Sequence, residues 1–253
     1  MNFESLIHSP QLLSPNFVGV LLHSDPAAAA QVLWRAACED NHYAQLVLGQ
    51  MLLDGDRVER NPREALRWFR RAADAGVPMG MNMVGRCLEN GWGTAVDFAD
   101  AATWYRRAAD MELDWAMYNY AHMLANGRGV ARDRAQALQW FQRAAALGHA
   151  RSMNFVGQYY ELGWEVEADF ATAVDWYRRS AEGGDFRGQC SYASVLTDAG
   201  RIDEAAHWLR LAQASATPAY LEHLVARLEE SPHPLLHEVA AQMRERLATL
   251  ARA

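Results

Sequence analysis

Apolar residues recur along this chain at the spacing of an amphipathic helix, and polar residues fill the positions between them. The spacing i, i+3, i+4, i+7 is met by two sets: Met81, Val84, Gly85 and Leu88, and Ala137, Trp140, Phe141 and Ala144. Such a stripe covers one face of an α-helix and leaves the opposite face polar. The pattern therefore predicts helices that each bury one face.

The helical pattern has a period of 36 residues. The period is kept by the tryptophans Trp68, Trp104, Trp140 and Trp176, by the aromatic residues after them, Phe69, Tyr105, Phe141 and Tyr177, and by the glycines Gly55, Gly91, Gly127 and Gly163. The repeats begin at residues 44, 80, 116 and 152, and a shorter fifth repeat begins at residue 188. Its Trp208 comes four residues early, which predicts a shortened loop between its two helices.

Each repeat is predicted to be two helices joined by a turn. Glycine ends the first helix, and an oxygen-bearing side chain can cap the second, from Asn61, Asp97, Asp133 or Asp169. The first helices also contain Gly49, Gly85 and Gly157, each at a cost of about 1 kcal/mol in helix propensity. We expect these glycines to let a neighbouring helix approach closely, and the periodic tryptophans to lie in the core rather than in a ligand cage.

A helix pair of this size cannot bury its apolar face alone, so the repeats are expected to stack. The predicted fold class is an all-α, right-handed solenoid with no β-sheet. Residues 1–25 are expected to form an N-terminal cap or extension, and residues 26–43 a degenerate half repeat. Residues 44–215 hold the five repeats. Residues 216–253 are predicted to be capping helices, with a break at the two prolines of residues 231–234.

Composition and charge narrow the classes of function. The 253 residues are 51% hydrophobic and 22% charged, and the formal charge of −7 disfavours nucleic acids and anionic membranes as partners. All 24 basic residues are arginine, which excludes enzyme chemistry that depends on lysine. No apolar run approaches the roughly 20 residues of a membrane span. The chain also begins without the pattern of a secretory signal.

The cysteines favour a reducing compartment. Cys38, Cys87 and Cys190 are odd in number and have no spacing typical of a metal site or a disulfide framework. We expect them to be small buried thiols inside helices. The sequence therefore predicts a cytoplasmic protein.

The third repeat carries the clearest motif, Gly127-Arg128-Gly129-Val130, then Asp133, Ala137, Trp140-Phe141, Ala144-Ala145 and Gly148. It resembles the Sel-one-like repeat, a relative of the tetratricopeptide repeat, and the resemblance covers about residues 27–213. The resemblance implies a protein-interaction module used by bacteria, in which the first helix of each repeat lines a concave face. Some secreted members cross-link each repeat with paired cysteines, which this chain lacks.

The candidate partner-binding residues come from that expected concave face and its adjoining loops. They are Asn82, Arg86, Glu89, Trp92, Tyr118, His122, Asn154, Gln158, Glu161, Trp164, Glu165 and Glu167. Mixed polar and aromatic side chains suit recognition of a protein or peptide. Two explanations fit the equivalent positions of Trp92 and Trp164: a duplication of two repeats, or a pair of aromatic anchors for a partner. The acidic loop residues form either a solvated rim or a surface that attracts a basic partner.

The sequence predicts no catalytic residue, no metal site and no cofactor. No phosphate-binding loop, nucleophile elbow or Cys-His constellation appears. His233 and His237 have the spacing of metal ligands on one helix, but Pro234 lies between them and Glu238 is the only supporting acid.

We therefore predict a non-enzymatic adaptor in a bacterial cytoplasm that binds a protein or peptide, including one with a basic surface. The alternative is an immunity or chaperone-like protein that sequesters a toxin or secreted effector, for which an acidic solenoid is suited. A third alternative is an enzyme with an unrecognised site.

Overall fold

The computed structural model describes residues 26–251, which form helices and contain no strand. In chain order the helices are α1 (Pro26–Cys38), α2 (His42–Asp54), α3 (Pro62–Asp74), α4 (Pro78–Asn90), α5 (Phe98–Asp110), α6 (Asp114–Asn126), α7 (Arg134–Ala146), α8 (Ala150–Leu162), α9 (Phe170–Glu182), α10 (Phe186–Asp198), α11 (Ile202–Ala212), α12 (Pro218–Glu229) and α13 (Pro234–Leu250). The predicted all-α class is confirmed. Within residues 26–251, no helix combines the length and apolar character needed to cross a membrane. The cap predicted for residues 1–25 lies outside the described residues.

The helices pair as the repeat pattern predicts. Residues 55–61, 91–97, 127–133 and 163–169 join the first and second helices of the first four pairs. In the fifth pair, the loop between α10 and α11 spans only residues 199–201. The predicted shortening of this loop is therefore confirmed, and it accounts for the early position of Trp208.

The chain divides by its internal contacts into two compact units. One ends at Asp133 and the other begins at Arg134, so the division falls between the two helices of the third repeat. In the first unit, α4 contacts the next first helix, α6; in the second unit, α8 contacts α10 in the same way. Each unit thus holds a pair of first helices that contact each other directly.

Glycines in the first helices receive aromatic rings from the second helices. A Cβ atom built on Gly49, Gly85 or Gly157 would lie 2.5, 2.7 or 2.6 Å from the ring of Phe69, Tyr105 or Tyr177, respectively. Because any side chain at these positions would overlap the ring, glycine is what permits the contact. The predicted close approach is confirmed, and it explains why the helices tolerate residues of low propensity.

The predicted helix boundaries rest on side-chain caps. Three second helices begin with a side-chain oxygen that accepts a backbone N–H bond: Asn61 from Glu64, Asp97 from Asp100, and Asp169 from Thr172, at 3.0–3.1 Å. The first helices of the first four pairs end at glycines with left-handed backbone, as predicted. Local sequence signals therefore set the start of three second helices and the end of four first helices.

The tryptophans of the second helices are not equally buried. Trp68 and Trp140 are 6% and 9% exposed, whereas Trp104 and Trp176 are only partly buried. The prediction that these tryptophans form the core is confirmed for the first two and wrong for the other two. Neighbouring residues lie about 100° apart around a helix, so a Trp and the residue after it cannot both point directly inward.

The residues after the tryptophans take the innermost positions instead. Phe69, Tyr105, Phe141 and Tyr177 are each at most 1% exposed. Each tryptophan ring is covered from outside by an arginine three residues later, at 4.2–5.6 Å from the ring centroid: Arg71, Arg107, Arg143 and Arg179. Trp104 and Trp176 therefore lie between the core and a guanidinium group, whereas Trp68 and Trp140 are core residues with a guanidinium group outside them.

The last helices form a core with the fifth repeat. Phe186 and Leu209 from the fifth pair pack in one cluster with Leu224 of α12 and with Leu236 and Met243 of α13. Helix α13 contacts both α11 and α12. The two helices predicted near the C-terminus are thus present and share their apolar side chains with the repeat before them.

The three cysteines are free thiols. Cys87 and Cys190 are buried, and burial raises the pKa of each thiol to about 11, so both stay protonated at neutral pH. Cys38, at the end of α1, is exposed. The expectation of buried helix thiols is right for two of the three and wrong for Cys38.

Candidate functional site

A polar cavity of about 220 Å³ lies where α4 and α6 meet in the first unit. We call it the first slot, and it is lined by Glu89, Tyr118, Asn119, His122, Met123, Asn126 and Arg128. Three of the predicted binding residues, Glu89, Tyr118 and His122, are brought together here. The Tyr118 and His122 rings meet edge to face at 4.6 Å.

The carboxylate of Glu89 organises the first slot. One oxygen accepts a hydrogen bond from the Tyr105 hydroxyl at 2.8 Å, and the other is 3.1 Å from Nη1 of Arg128. The Arg128 guanidinium also lies 4.4 Å from the centroid of the Phe98 ring. An arginine side chain is therefore held between a carboxylate and an aromatic ring.

Gly129 brings this arginine to its position. A Cβ atom on Gly129 would lie 2.0 Å from the carbonyl oxygen of Phe98, and the residue has φ +70°. Only glycine allows the loop to rest this closely on the start of α5. The contact fixes the preceding residue, Arg128, above the Phe98 ring.

A second polar cavity, of about 180 Å³, lies in the second unit where α8 and α10 meet. We call it the second slot, and it is lined by Gln158, Glu161, Phe170, Tyr177, Cys190, Ser191, Ser194, Val195, Asp198, Tyr220 and Arg227. The Glu161 carboxylate accepts a hydrogen bond of 2.5 Å from the Tyr177 hydroxyl. Two further predicted residues, Gln158 and Glu161, are thus brought together.

The two slots occupy the same place in the repeat. Six positions, two repeats apart, line both: Glu89 and Glu161, Tyr118 and Cys190, Asn119 and Ser191, His122 and Ser194, Met123 and Val195, and Asn126 and Asp198. The tyrosines that bind the two glutamates, Tyr105 and Tyr177, are related by the same interval. The two units therefore carry related versions of one site.

The electrostatics of both slots favour recognition of a polar group. Burial raises the pKa of Tyr105 and of Tyr177 well above the usual range, and the adjacent glutamate raises each further. The phenols remain hydrogen-bond donors at any physiological pH, so each carboxylate is held in a fixed orientation. A fixed carboxylate surrounded by amides, hydroxyls and rings can bind a cationic or hydrogen-bonding side chain.

The other predicted residues of the first unit lie outside the first slot. Asn82 is 3% exposed, and its side-chain oxygen accepts a hydrogen bond of 2.8 Å from Asn119. Asn82, proposed from the sequence as a partner-binding residue, is therefore buried. Arg86 and Trp92 form a pair in which the guanidinium lies 5.2 Å from the ring centroid.

In the second unit, Asn154, also proposed as a partner-binding residue, is fully buried. Trp164 is partly buried, because the Arg134 guanidinium covers its ring at 4.4 Å and Tyr159 packs edge to face against it at 5.7 Å. Glu165 and Glu167 are exposed in the loop after α8, outside the second slot.

Sequence reasoning missed Tyr105 and Tyr177, although the repeats contain a signal for them. The two repeats with glutamate at the end of the first helix, Glu89 and Glu161, have tyrosine after the tryptophan of the second helix. The repeats that have Leu53 and Ala125 in place of glutamate have phenylalanine in place of tyrosine. The hydroxyl is present only where a carboxylate can accept its hydrogen bond.

A further cavity of about 450 Å³ lies in the first unit among α1, α2, α3 and the loop before α3. Its lining includes Trp34, Leu48, Leu52 and Arg60, and none of the predicted binding residues. Trp34 is 45% exposed and contacts Trp68 edge to face at 5.6 Å.

Of the histidine pair considered from the sequence, the His237 ring contacts the backbone. His237 Nε2 lies 2.7 Å from the carbonyl oxygen of Ser231. Across residues 26–251, no group of three or more His, Cys, Asp or Glu side chains is arranged to hold a metal ion.

Comparison with known proteins agrees with this repeat structure. The Sel1 repeat family model matches residues 42–77, 78–113, 116–149 and 150–185. The fifth helix pair lies outside the matched residues. No curated protein matches the chain.

Solved structures share the fold over most of the chain. A Sel1 repeat protein from Oxalobacter formigenes has a TM-score of 0.78 at 24% identity, covering 93% of this chain and 99% of its own. The protective antigen c5321 of uropathogenic Escherichia coli has a TM-score of 0.71 at 25% identity and covers 99% of this chain, which spans 56% of that protein. The immunity protein PA5088 from Pseudomonas aeruginosa has a TM-score of 0.60 at 16% identity, covering 82% of each chain.

The family model covers more than half of the chain, and the solved structures show an all-α solenoid built from the same helix pairs. On this evidence, the chain belongs to the Sel1 repeat family.

Proposed function

We propose that this protein is a non-enzymatic binding module that recognises a protein partner through the first-helix face of its repeats. The observation that carries the proposal is the pair of equivalent slots, each built around a glutamate held by a buried tyrosine. Sel1 repeats generally serve as protein-interaction modules. A repeated polar slot suits side chains presented at intervals by a partner.

The slots hold the groups of a recognition surface. They present Tyr118, Gln158 and Ser194 beside the fixed carboxylates. Tyrosine and other groups that combine an apolar body with a polar end contribute strongly to binding energy at interfaces. We place the protein in a bacterial cytoplasm, with its free thiols reduced, as an adaptor.

A second candidate function is neutralisation of a basic toxin or secreted effector. The net charge of −7 and the exposed acidic side chains Glu165 and Glu167 favour it, because opposite charge accelerates association. The likeness to the immunity protein PA5088 supports this candidate only through the shared fold.

Site-specific photo-crosslinking in the source cells tests the proposed binding face. A crosslinking amino acid replaces Tyr118 or Ser194, which line the first and second slots. The matched controls replace Arg107 and Arg179, which are exposed on the second helices of the same units. We expect discrete crosslinked proteins from the two slot positions and none from the two controls.

The identity of the crosslinked protein separates the two candidates. A basic protein that is toxic when expressed alone, and harmless together with this chain, supports neutralisation, and any other partner supports an adaptor. Crosslinks from the controls alone, or from no position, would contradict a first-helix binding face.

A further inference from the structure

The first slot already contains a guanidinium group, which belongs to the chain itself. Arg128 lies against the Glu89 carboxylate at 3.1 Å and over the Phe98 ring at 4.4 Å. The side chain of Glu89 is 22% exposed as a result of this cover. The structure thus shows which group this kind of slot accepts.

The second slot has the same receptor without the arginine. Phe170 and Glu161 stand two repeats after Phe98 and Glu89, and both line the second slot. The position equivalent to Arg128 is Gly200, in the shortened loop between α10 and α11. Phe170 is 55% exposed. An aromatic face and a carboxylate that are covered in the first slot are therefore open in the second.

The arginines near the second slot do not replace Arg128. Arg201 makes two hydrogen bonds of 2.6 Å to Glu204. Arg227 lines the slot near Cys190 and Tyr220; burial raises the pKa of both groups, and the charge of Arg227 opposes that rise only in small part. Among the ion pairs of residues 26–251, none joins either arginine to Glu161.

The charge of the second slot leaves room for an added cation. Its lining contains the carboxylates of Glu161 and Asp198 and one basic side chain, Arg227. Asp198 takes the place of the neutral Asn126 of the first slot. The second slot therefore has two carboxylates and one arginine, whereas the first has one carboxylate and one arginine, so the second slot is the more acidic.

We propose that the second slot binds an arginine side chain of the partner protein, stacked on Phe170 and bonded to Glu161. The proposal rests on the proposed binding function and names the chemistry that the partner must present. Arginine fits better than lysine, because a planar guanidinium can stack on a ring and donate to a carboxylate at once. Arg128 makes both contacts in the first slot.

The test uses the whole chain with ¹³C-labelled methionine and valine methyl groups. The Val195 methyls report on the second slot and the Met123 methyl on the first. The probe is Nα-acetyl-arginine amide, and its control is the citrulline analogue, which has the same shape but no charge. We expect saturable shifts of the Val195 signals with the arginine probe alone, at roughly millimolar concentrations.

Three variants make the test specific. Glu161→Gln is expected to weaken binding of the arginine probe by at least about tenfold, the loss of a charge-assisted hydrogen bond. Glu182→Gln, a change of an exposed glutamate on α9, is the matched control and should leave binding unchanged. Arg128→Ala should empty the first slot and create a second binding site, seen as new shifts of the Met123 signal.

The proposal would be overturned if the arginine probe gave no saturable shift at Val195, or if the citrulline analogue gave equal shifts. It would also be overturned if Glu161→Gln bound the arginine probe as tightly as the unchanged protein, or if the probe did not shift the Met123 signal of Arg128→Ala. These results are independent of the crosslinking experiment. A partner crosslinked at Ser194, together with no binding of the arginine probe, would support the proposed binding function and contradict the proposal that the second slot binds arginine. Binding of the arginine probe without any crosslinked partner would support arginine binding by the second slot and contradict the proposed binding function.

Discussion

Tyr105→Ala is expected to lower the free energy of unfolding by about 3–5 kcal/mol, the range for removing a large core ring. Tyr105 is fully buried, and its ring packs on the Cα of Gly85, so truncation leaves a cavity that α4 and α5 cannot close. Trp104→Ala, one residue earlier, should cost only about 1–2 kcal/mol, because the indole is partly exposed beneath Arg107. Urea unfolding followed by circular dichroism measures both changes.

Tyr105→Phe serves as the control for the hydroxyl. It keeps the ring, loses the bond to Glu89 and should cost about 1 kcal/mol. A larger cost for Trp104→Ala than for Tyr105→Ala would show that the tryptophan, and not the residue after it, is the main core position of the repeat.

Gly129→Ala is expected to destabilise the protein by about 2–5 kcal/mol, the sum of backbone strain and overpacking. Its φ of +70° is unfavourable for alanine, and the new Cβ would lie 2.0 Å from the Phe98 carbonyl oxygen. Gly76→Ala is the matched control in the same unit, since Gly76 has φ +85° but no atom lies within 4 Å of the place its Cβ would take. Gly76→Ala therefore introduces backbone strain without overlap and should lower the free energy of unfolding by about 1–2 kcal/mol.

Thermal or urea unfolding of the two glycine variants gives the comparison directly. Equal destabilisation would mean that the loop moves away from α5 without cost, and that the close approach does not hold Arg128 in the first slot. A difference of at least about 1 kcal/mol, with Gly129→Ala the less stable, agrees with the overlap seen in the structure.

The repeat architecture could be predicted because local signals agree with each other. The tryptophan period locates each second helix, and caps such as Asp97 and Asp169 mark where it starts. The burial of individual side chains was harder to predict. Asn82 and Asn154 lie on first helices that contact both a second helix and another first helix, so these two candidate binding residues are covered.

The candidate site could be predicted only in part, because its contacts join distant segments. Glu89 and Glu161 were found as polar residues of the first helices. Arg128 belongs to a loop in the next repeat, and nothing in its local sequence shows that it reaches back to Glu89. Arg227 of the second slot comes from α12, outside the repeats, where the repeat period gives no guide.

A crystal structure of the chain bound to the partner captured at Ser194 would show directly whether the slots bind the partner. We expect the partner on the first-helix face, with one of its arginines between the Phe170 ring and the Glu161 carboxylate, as Arg128 lies between Phe98 and Glu89. A partner seated on the second helices, with the second slot filled only by water, would contradict it.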